Sequence, residues 1–195
     1  KKTKALMLVH VLGCSVDMDK LMKILKRKKI ILIEDTCESL GAKYKNKFLG
    51  TFGDFSTFSF YSSHQLPAGE GGIINCKDKI DYQIVKSLRS HGWYREETNI
   101  RNTIFKVSKN RLIDSKFTFF NSGYNLRPTE VSAAIAFSKL KKLKKIKSIR
   151  NYNFNKIKLM IQNDPKLSKC LTLIKKDKNI SECWLSFPII LNKKI

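Results

Sequence analysis

The chain has 195 residues with 42% hydrophobic content, which suits one domain or a large piece of one and excludes wholesale disorder. No apolar run approaches the ~18–20 residues that span a bilayer, so we expect no membrane segment. A net charge of +23 is typical of nucleic-acid binding, but the lysines are spread along the chain without an RNP, KH, zinc-finger or helix-turn-helix pattern, so we expect no nucleic-acid partner.

The first three elements alternate between strand and helix. The continuously apolar "ALMLVHV" predicts a buried strand, and "IILIED" predicts a second strand that ends in acidic residues. Between them, "DMDKLMKILKRKK" places apolar residues at i, i+3, i+4 and i+7 from Met18, which predicts a helix capped by Asp17. A strand, a helix and a strand at this short spacing favour a parallel sheet with a right-handed crossover.

Two more strands and another helix follow along the chain. The segments "DFSTFSFY" and "GGIINC" are predicted strands, and "KIDYQIVKSLRSHG" is a predicted helix that Gly92 closes. Residues 93–122 are polar and weakly periodic. So long a connection inside an α/β domain is usually functional or covers a partner.

The last third of the chain predicts one long helix and two strands. Pro128 and Thr129 are start signals for a helix that runs toward Met160. A lysine-rich stretch within it keeps leucine and isoleucine three residues apart, which is typical of an amphipathic helix with a solvated basic face. The segments "CLTLI" and "CWLSFPIIL" are further strand candidates.

The five cysteines are an odd number, and no two of them form a CxxC pair. They therefore lack the ligand spacing of a structural zinc site, and we expect no metal. Unpaired thiols of this kind are typical of cytosolic proteins, so we expect a cytoplasmic localisation.

Polar residues follow two of the predicted strands. Asp35 ends a strand at the edge of a parallel sheet where ligands bind, although aspartate also forms turns there. Glu38 shares a face with Asp35 if the segment between them is helical. Ser59 precedes the turn, and its hydroxyl binds either a phosphate or the backbone. His64 is either a satisfied surface residue or a proton shuttle, because its ordinary pKa is near neutral.

A nucleotide-binding dehydrogenase would use the acid after the strand to bind a ribose. That interpretation requires a GxGxxG turn between the first strand and helix, and "VLGCSVDMD" has one glycine there. The sequence "GEGG" lies between two strands instead, and no Walker A motif occurs. We therefore exclude this class.

Several segments together resemble one family. They are "VHVLGCSVDMDKLMKIL", "IEDTCESLGAKYKNKFLGTFGDFSTFSFYSSHQLPAGEGGIINC", "LRSHGW" and "SGYNLRPTEVSAAIAFSKLKKL". Over roughly residues 3–150, the sequence resembles the DegT/DnrJ/EryC1/StrS sugar aminotransferases. This resemblance implies the aspartate-aminotransferase fold (fold type I), with a three-layer α/β/α large domain and a mostly parallel sheet. It also implies pyridoxal 5'-phosphate or pyridoxamine 5'-phosphate as cofactor and nucleotide-linked keto-sugars of polysaccharide biosynthesis as substrates.

The resemblance implies roles for individual residues. Asp35 matches the aspartate that pairs with the pyridine nitrogen, and Glu38 matches the position that faces the cofactor ring. Ser59 matches the serine that binds the cofactor phosphate. Asn125 matches the asparagine that reaches the phosphate of the neighbouring subunit's cofactor, so the resemblance implies a homodimer with shared active sites. His64 stands where the aminotransferases carry the lysine that holds the cofactor covalently.

An imidazole cannot form that covalent link, so His64 departs from the main family pattern. The sugar 3-dehydratases are a branch with this histidine, and "SFYSSHQLPAGEGG" resembles that branch. The branch uses the histidine as a base while a nucleotide-linked 4-keto-6-deoxy sugar loses its C3 hydroxyl. We expect this activity; the alternatives are a sugar aminotransferase or an inactive truncated member. No cysteine lies between Cys76 and Cys170, so we expect no iron–sulfur cluster.

The resemblance also implies the domain organisation. Residues 1–150 correspond to the central part of the cofactor-binding large domain. Residues 151–195 correspond to a linker helix and the beginning of a small, truncated C-terminal domain. The family's chains begin earlier, with a helix whose N-terminus cradles the cofactor phosphate, so we expect this chain to be an internal fragment.

Overall fold

A computed structural model describes residues 2–93, 117–119, 121–175 and 177–192. These residues divide into two compact units, one formed by Lys1–Ile74 and Glu130–Ile195 and the other by Asn75–Thr129. Most of the predicted connection at 93–122 lies outside the described residues.

The described residues form nine strands, five α-helices and a single 3₁₀ turn. The strands are β1 (Ala5–Val9), β2 (Ile31–Asp35), β3 (Lys43–Tyr44), β4 (Lys47–Phe48), β5 (Phe55–Ser59), β6 (Gly72–Cys76), β7 (Leu171–Leu173), β8 (Ile180–Ser181) and β9 (Ile189–Leu191). The helices are α1 (Met18–Lys28), α2 (Lys79–Arg89), α3 (Glu130–Leu140), α4 (Leu143–Asn163) and α5 (Pro165–Cys170), and the 3₁₀ turn η1 spans Val11–Gly13.

The main sheet has the strand order β1-β2-β5-β6. Strands β1 and β2 are parallel and place Val9 opposite Asp35. Strands β2 and β5 are also parallel and place Asp35 opposite Thr57. The carboxyl ends of these three strands therefore meet at one edge of the sheet, which is the edge where open α/β sheets bind ligands.

Helix α1 makes the crossover between β1 and β2, as the sequence predicts. The Asp17 carboxylate accepts a hydrogen bond from the backbone N–H of Lys20 at 3.1 Å, and Lys29 ends the helix in a left-handed conformation with φ of 51°. Met18 and Leu25 are the buried residues of the helix and belong to the core cluster of the first unit. The apolar spacing of the sequence thus identifies the buried face correctly.

The prediction that "ALMLVHV" is a buried strand is wrong about burial. Strand β1 forms where expected, but Met7 and Val9 are 58% and 47% exposed in the described part of the chain. The exposure alternates along the strand, because Leu6 and Leu8 are half-buried while the opposite face of β1 is left uncovered by the described residues. An apolar run does not show whether both faces of a strand are covered.

The prediction of a single long helix toward Met160 is also wrong, because the structure has two helices there. Helix α3 ends at Leu140 and α4 begins at Leu143, because a turn in which the N–H of Lys142 donates to Lys139 O at 2.8 Å interrupts the helical hydrogen bonds.

Two further small sheets are antiparallel. One pairs β7 with β9, and the other pairs β3 with both β4 and β8. None of the described helices has the length and apolar character that a membrane crossing requires.

The second unit contains helix α2 and two antiparallel bridges. The Asp78 carboxylate caps α2 by accepting from the N–H of Ile80 at 2.7 Å. Ser90 follows as the C-cap, and its backbone bridges to Asn125. Gly92 closes the end of the helix, with φ of 79° and its N–H donated to a carbonyl of the last turn at 2.9 Å. This confirms Gly92 as part of the helix stop.

Candidate active site

Asp35 lies at the carboxyl end of β2, at the edge of the sheet that the sequence indicates. Its Oδ1 accepts hydrogen bonds from the N–H of Cys37 at 3.1 Å and from the Thr57 hydroxyl at 3.4 Å. Both contacts use one oxygen of a half-buried carboxylate, and both come from groups that hold it at the strand end. A carboxylate fixed in this way can accept a further hydrogen bond from a protonated ring nitrogen.

The thiol beside Asp35 is held in its neutral form. Burial, followed by the adjacent Asp35 carboxylate, raises the pKa of Cys37 to about 11. Its sulfur lies 3.6 Å from the Thr57 hydroxyl oxygen. The neutral thiol therefore adds no charge to this edge of the sheet near neutral pH.

Ser59 is the last residue of β5, two positions beyond the partner of Asp35 on the neighbouring strand. Its Oγ accepts a hydrogen bond from the N–H of Tyr61 at 3.1 Å, so the hydroxyl turns back over the loop that follows the strand. A serine hydroxyl can donate one hydrogen bond while it accepts another. Ser59 is therefore able to donate to an anion such as a phosphate.

His64 lies in the turn after β5, in contact with the same loop. The backbone N–H of His64 donates to Tyr61 O at 3.0 Å. The imidazole and the Tyr61 ring meet edge to face, with their centroids 5.8 Å apart. The imidazole Nδ1 is buried and has no hydrogen-bond partner among the described residues. Because a buried nitrogen without a partner costs about 1–3 kcal/mol, a polar group of a bound ligand would relieve that cost.

Glu38 lies in the turns that follow β2, so the condition that would place it on a helical face with Asp35 is not met. Its Oε2 accepts a hydrogen bond from the N–H of Leu12 at 2.7 Å. Leu12 has φ of 55°, a left-handed conformation that directs its N–H toward this loop. The Glu38 carboxylate thus connects the loop after β2 to the loop after β1.

A buried network beside these residues escaped the sequence analysis. The Ser15 hydroxyl oxygen lies 2.9 Å from His10 Nδ1, and His10 Nε2 donates to Glu34 Oε2 at 2.9 Å. The same carboxylate accepts from the N–H groups of Gly50, Phe52 and Gly53 at 2.8, 2.7 and 2.6 Å. Glu34 therefore fixes the turn that leads into β5.

The network could have been found only from the position of Glu34 within a strand. A charged residue that follows three apolar residues within a strand requires a partner when it is buried. Its partners lie 16 to 24 residues away in the sequence, so local periodicity does not reveal them.

Asn125 belongs to the second unit, whereas the other four candidates belong to the first. It is exposed, and its backbone forms the bridge to Ser90. The structure therefore brings Asp35, Glu38, Ser59 and His64 to one end of the sheet and describes Asn125 separately. Within the described part of the chain, no group of three or more histidine, cysteine, aspartate or glutamate side chains could hold a metal ion.

Comparison with known proteins identifies the family. The model of the DegT/DnrJ/EryC1/StrS aminotransferase family matches residues 1–195. The chain belongs to this family. The match therefore extends beyond residues 3–150, whose motifs carry the resemblance.

Two curated members of the family illustrate what the chain resembles. A GDP-4-keto-6-deoxy-D-mannose 3-dehydratase of Escherichia coli O55:H7 is 36% identical over 191 residues, which cover 98% of this chain and 47% of that protein. A GDP-perosamine synthase of Escherichia coli O157:H7 is 34% identical over 141 residues, which cover 72% of this chain and 34% of that protein. The chain therefore spans about half the length of the 3-dehydratase, and its match covers about a third of the synthase.

A solved family structure confirms the fold. The E. coli GDP-4-keto-6-deoxy-D-mannose-3-dehydratase with bound hydrated PLP superposes with a TM-score of 0.86 at 35% identity, and the alignment covers 100% of this chain and 48% of that one. The expected aspartate-aminotransferase fold, α/β with a mostly parallel sheet, is therefore confirmed.

Proposed function

We propose that this chain forms part of an enzyme that uses pyridoxal 5'-phosphate or pyridoxamine 5'-phosphate to remove the C3 hydroxyl of a nucleotide-linked 4-keto-6-deoxy sugar. The observation that carries the proposal is His64, five residues after Ser59, with a buried nitrogen that lacks a partner among the described residues. The relatives named as 3-dehydratases support the same reaction.

The residues present fit the cofactor. Asp35 offers a fixed carboxylate for the protonated ring nitrogen, and the Ser59 hydroxyl offers a donor for a phosphate oxygen. The unpartnered Nδ1 of His64 offers a polar contact to the same bound group or to the substrate. When bound, the cofactor supplies an electron sink, because its ring accepts electron density from a bond broken beside it.

The protein residues then divide the remaining work. With the cofactor bound, Asp35 would accept the hydrogen bond of the ring nitrogen and so favour its protonated form, and the neutral thiol of Cys37 adds no second negative charge beside it. Ser59 orients the phosphate. With the cofactor bound, His64 would accept on its imidazole the proton released beside the cofactor while the C3 hydroxyl leaves, because a positioned side chain within hydrogen-bond reach can take such a proton. Without an amine at position 64, the protein holds the cofactor through noncovalent contacts alone.

A sugar aminotransferase is the second candidate function. The similarity to a GDP-perosamine synthase, at 34% identity, favours it. The absence of a lysine at position 64 speaks against it, because an imidazole has no primary amine with which to hold the cofactor. The proposal also includes a homodimer in which Asn125 contacts the cofactor of the partner subunit, and the division of the chain near residue 150 into large-domain and small-domain parts.

The experiment compares His64→Asn and His64→Lys with the unchanged whole protein. We expect His64→Asn to lower kcat by about 10²–10⁴-fold and to leave cofactor binding intact, because a positioned proton-transfer group typically contributes that factor. After borohydride treatment, mass spectrometry should find no cofactor adduct on His64 and should find one on His64→Lys.

Two results would contradict the proposal. Near-full turnover by His64→Asn would show that the histidine does not transfer the proton. Transfer of an amine from glutamate to the sugar by the unchanged protein would favour the aminotransferase function instead.

A further inference from the structure

Gln65, the residue after His64, is buried at 1% exposure and joins two separate segments of the chain. Its Nε2 donates to the backbone oxygen of Glu38 and to the backbone oxygen of Cys183, the second at 3.0 Å. Both acceptors are carbonyl oxygens, so the NH₂ group of the amide is the end that contacts them. Both of its hydrogens are used.

The segment around Cys183 is bound in turn to the loop after β1. The N–H of Cys183 donates to Gly13 O at 3.1 Å, and the N–H of Leu185 donates to Leu12 O at 3.1 Å. The approach is close enough that a Cβ on Gly13 would lie 2.1 Å from Cys183 O. The loop after β1 and the segment 183–185 therefore form one rigid contact.

Together with two bonds of Glu38, these contacts form a closed ring of hydrogen bonds. The Glu38 carboxylate accepts from the N–H of Leu12 at 2.7 Å, and its backbone oxygen accepts from Gln65. Gln65 also donates to Cys183 O, and the N–H of Cys183 donates to the loop that carries Leu12. The backbone next to His64 is consequently fixed to Glu38 and to the C-terminal segment at the same time.

His64 itself has few anchors of its own. Its N–H bonds to Tyr61 O, and its ring contacts Tyr61, whose side chain is 48% exposed. Its Nδ1 has no partner among the described residues. The direction of the imidazole therefore depends on the backbone from which it projects, and Gln65 holds that backbone from the C-terminal side.

Stability alone does not account for a glutamine at position 65. Its Oε1 is buried without a hydrogen-bond partner among the described residues, which costs free energy that an apolar side chain of the same volume would avoid. The two donated bonds connect the neighbour of the proposed base with the loop of the proposed ring-facing residue. This is the connection that a precisely placed base requires.

We propose that Gln65 is a positioning residue, which sets the place of the His64 imidazole relative to Glu38 by fixing both to the segment around Cys183. The inference rests on the proposed function of His64. It assigns no contact between Gln65 and the substrate. It also makes the segment 183–185 part of the support of the site, although that segment lies about 120 residues further along the chain.

Lys147 provides a matched control within the same junction. Its Nζ donates to Gly41 O at 3.0 Å and to Ser181 Oγ at 3.0 Å. It therefore joins the loop after β2 to the C-terminal segment, as Gln65 does, but it is not adjacent to His64 in the sequence. Burial lowers the pKa of Lys147, in agreement with its place inside the junction.

The test substitutes methionine at each position in the whole protein, because methionine keeps similar volume and removes the donors. We expect Gln65→Met to lower kcat by about 10–100-fold while KM changes by less than about twofold, the pattern of a misplaced catalytic group. With ¹⁵N-labelled histidine, the imidazole resonances of His64, assigned by their loss in His64→Asn, should shift and broaden. Lys147→Met should leave both kcat and those resonances unchanged.

Unchanged His64 resonances and kcat in Gln65→Met would overturn the inference while the proposed function stands. An equal effect of Lys147→Met would also overturn it, because the junction as a whole would then be responsible. If His64→Asn keeps full turnover, the proposed function fails, and the resonances alone decide whether Gln65 places the imidazole. If Gln65→Met does not fold, Gln65→Asn replaces it. This variant keeps the NH₂ group on a side chain one methylene shorter, and we again expect the His64 resonances to shift.

Discussion

At the scale of single residues, Glu34 shows how the fold stabilises a buried charge. Its side chain is fully buried and accepts from His10 and from three backbone N–H groups of the turn at 50–53. Burial by itself raises the pKa of the carboxyl, but the bonds from His10, Gly53 and Gly50 outweigh it and hold the pKa below its usual value. The carboxylate is therefore ionised in the folded protein near neutral pH.

We expect Glu34→Gln to lower the free energy of unfolding at pH 7 by about 3 kcal/mol, because backbone donors lose an anionic acceptor in a buried site. The pKa of Glu34 is lower folded than unfolded, so its contribution is complete above the pKa of an unfolded glutamate, about 4.3. It is lost as pH falls through the folded pKa. Urea denaturation from pH 7 to pH 3 measures both effects.

The control for this prediction is Ser15→Ala, which removes the outer bond of the network and leaves the carboxylate with its four donors. It should cost about 1 kcal/mol and keep the acid dependence of the unchanged protein. An acid dependence of Glu34→Gln equal to that of the unchanged protein would contradict the role assigned to Glu34.

The sequence predicts some of these residues better than others. Asp35, Ser59 and His64 stand at strand ends and turns, which local patterns reveal, and the structure places them at one end of the sheet. Glu34 and Gln65 take their importance from partners 16 to 118 residues away, which no local pattern contains. Long-range hydrogen bonds become visible only when the chain is folded.

At the scale of elements, the contact between η1 and the segment 183–185 depends on a glycine. Gly13 has φ of 90°, and an added Cβ would lie 2.1 Å from Cys183 O. The neighbouring backbone cannot give way easily, because it is bonded to the same turn. The absence of a side chain is therefore a requirement of this junction.

We expect Gly13→Ala to lower the free energy of unfolding by about 2–5 kcal/mol, the sum of backbone strain and overpacking against main-chain atoms. The matched control is Gly69→Ala. Gly69 has φ of 83°, and a Cβ there would meet nothing within 4 Å, so only the strain of about 1–2 kcal/mol applies. Thermal and chemical denaturation of both variants measure the difference; equal losses would contradict the steric contact.

The longer the periodic pattern of an element, the more of that element the sequence predicts correctly. The amphipathic period of α1 extends over three turns, and the sequence gives its position, cap and buried face correctly. The two-residue strands β3, β4 and β8 are too short for any period, and they form because their backbones pair with one another across the chain. The break between α3 and α4 occurs within a continuous apolar spacing, so the periodicity does not reveal it.

At the scale of the whole molecule, 39 basic residues exceed 16 acidic ones, and the basic residues are spread along nearly the whole sequence. Two surface pairs, Lys20 with Asp17 and Lys45 with Asp19, are local contacts of the α1 region. Lys147 and Arg150 bind backbone carbonyls in the interior junctions of α4 instead of facing an acidic partner. Because the sequence spreads its lysines along nearly its whole length and two of the described cations are used in packing, we expect no continuous basic stripe of the kind a nucleic-acid site has.

This distribution predicts how the protein binds DNA. We expect micromolar or weaker affinity at physiological salt that is equal for duplexes of unrelated sequence, because scattered lysines contact phosphates alone. Affinity should fall steeply between about 50 and 200 mM salt, in proportion to the counterions released. Fluorescence anisotropy with two labelled duplexes of equal length measures both, with a neutral dextran as the control for crowding. A nanomolar complex with one sequence at physiological salt would contradict this account and would require a specific nucleic-acid surface.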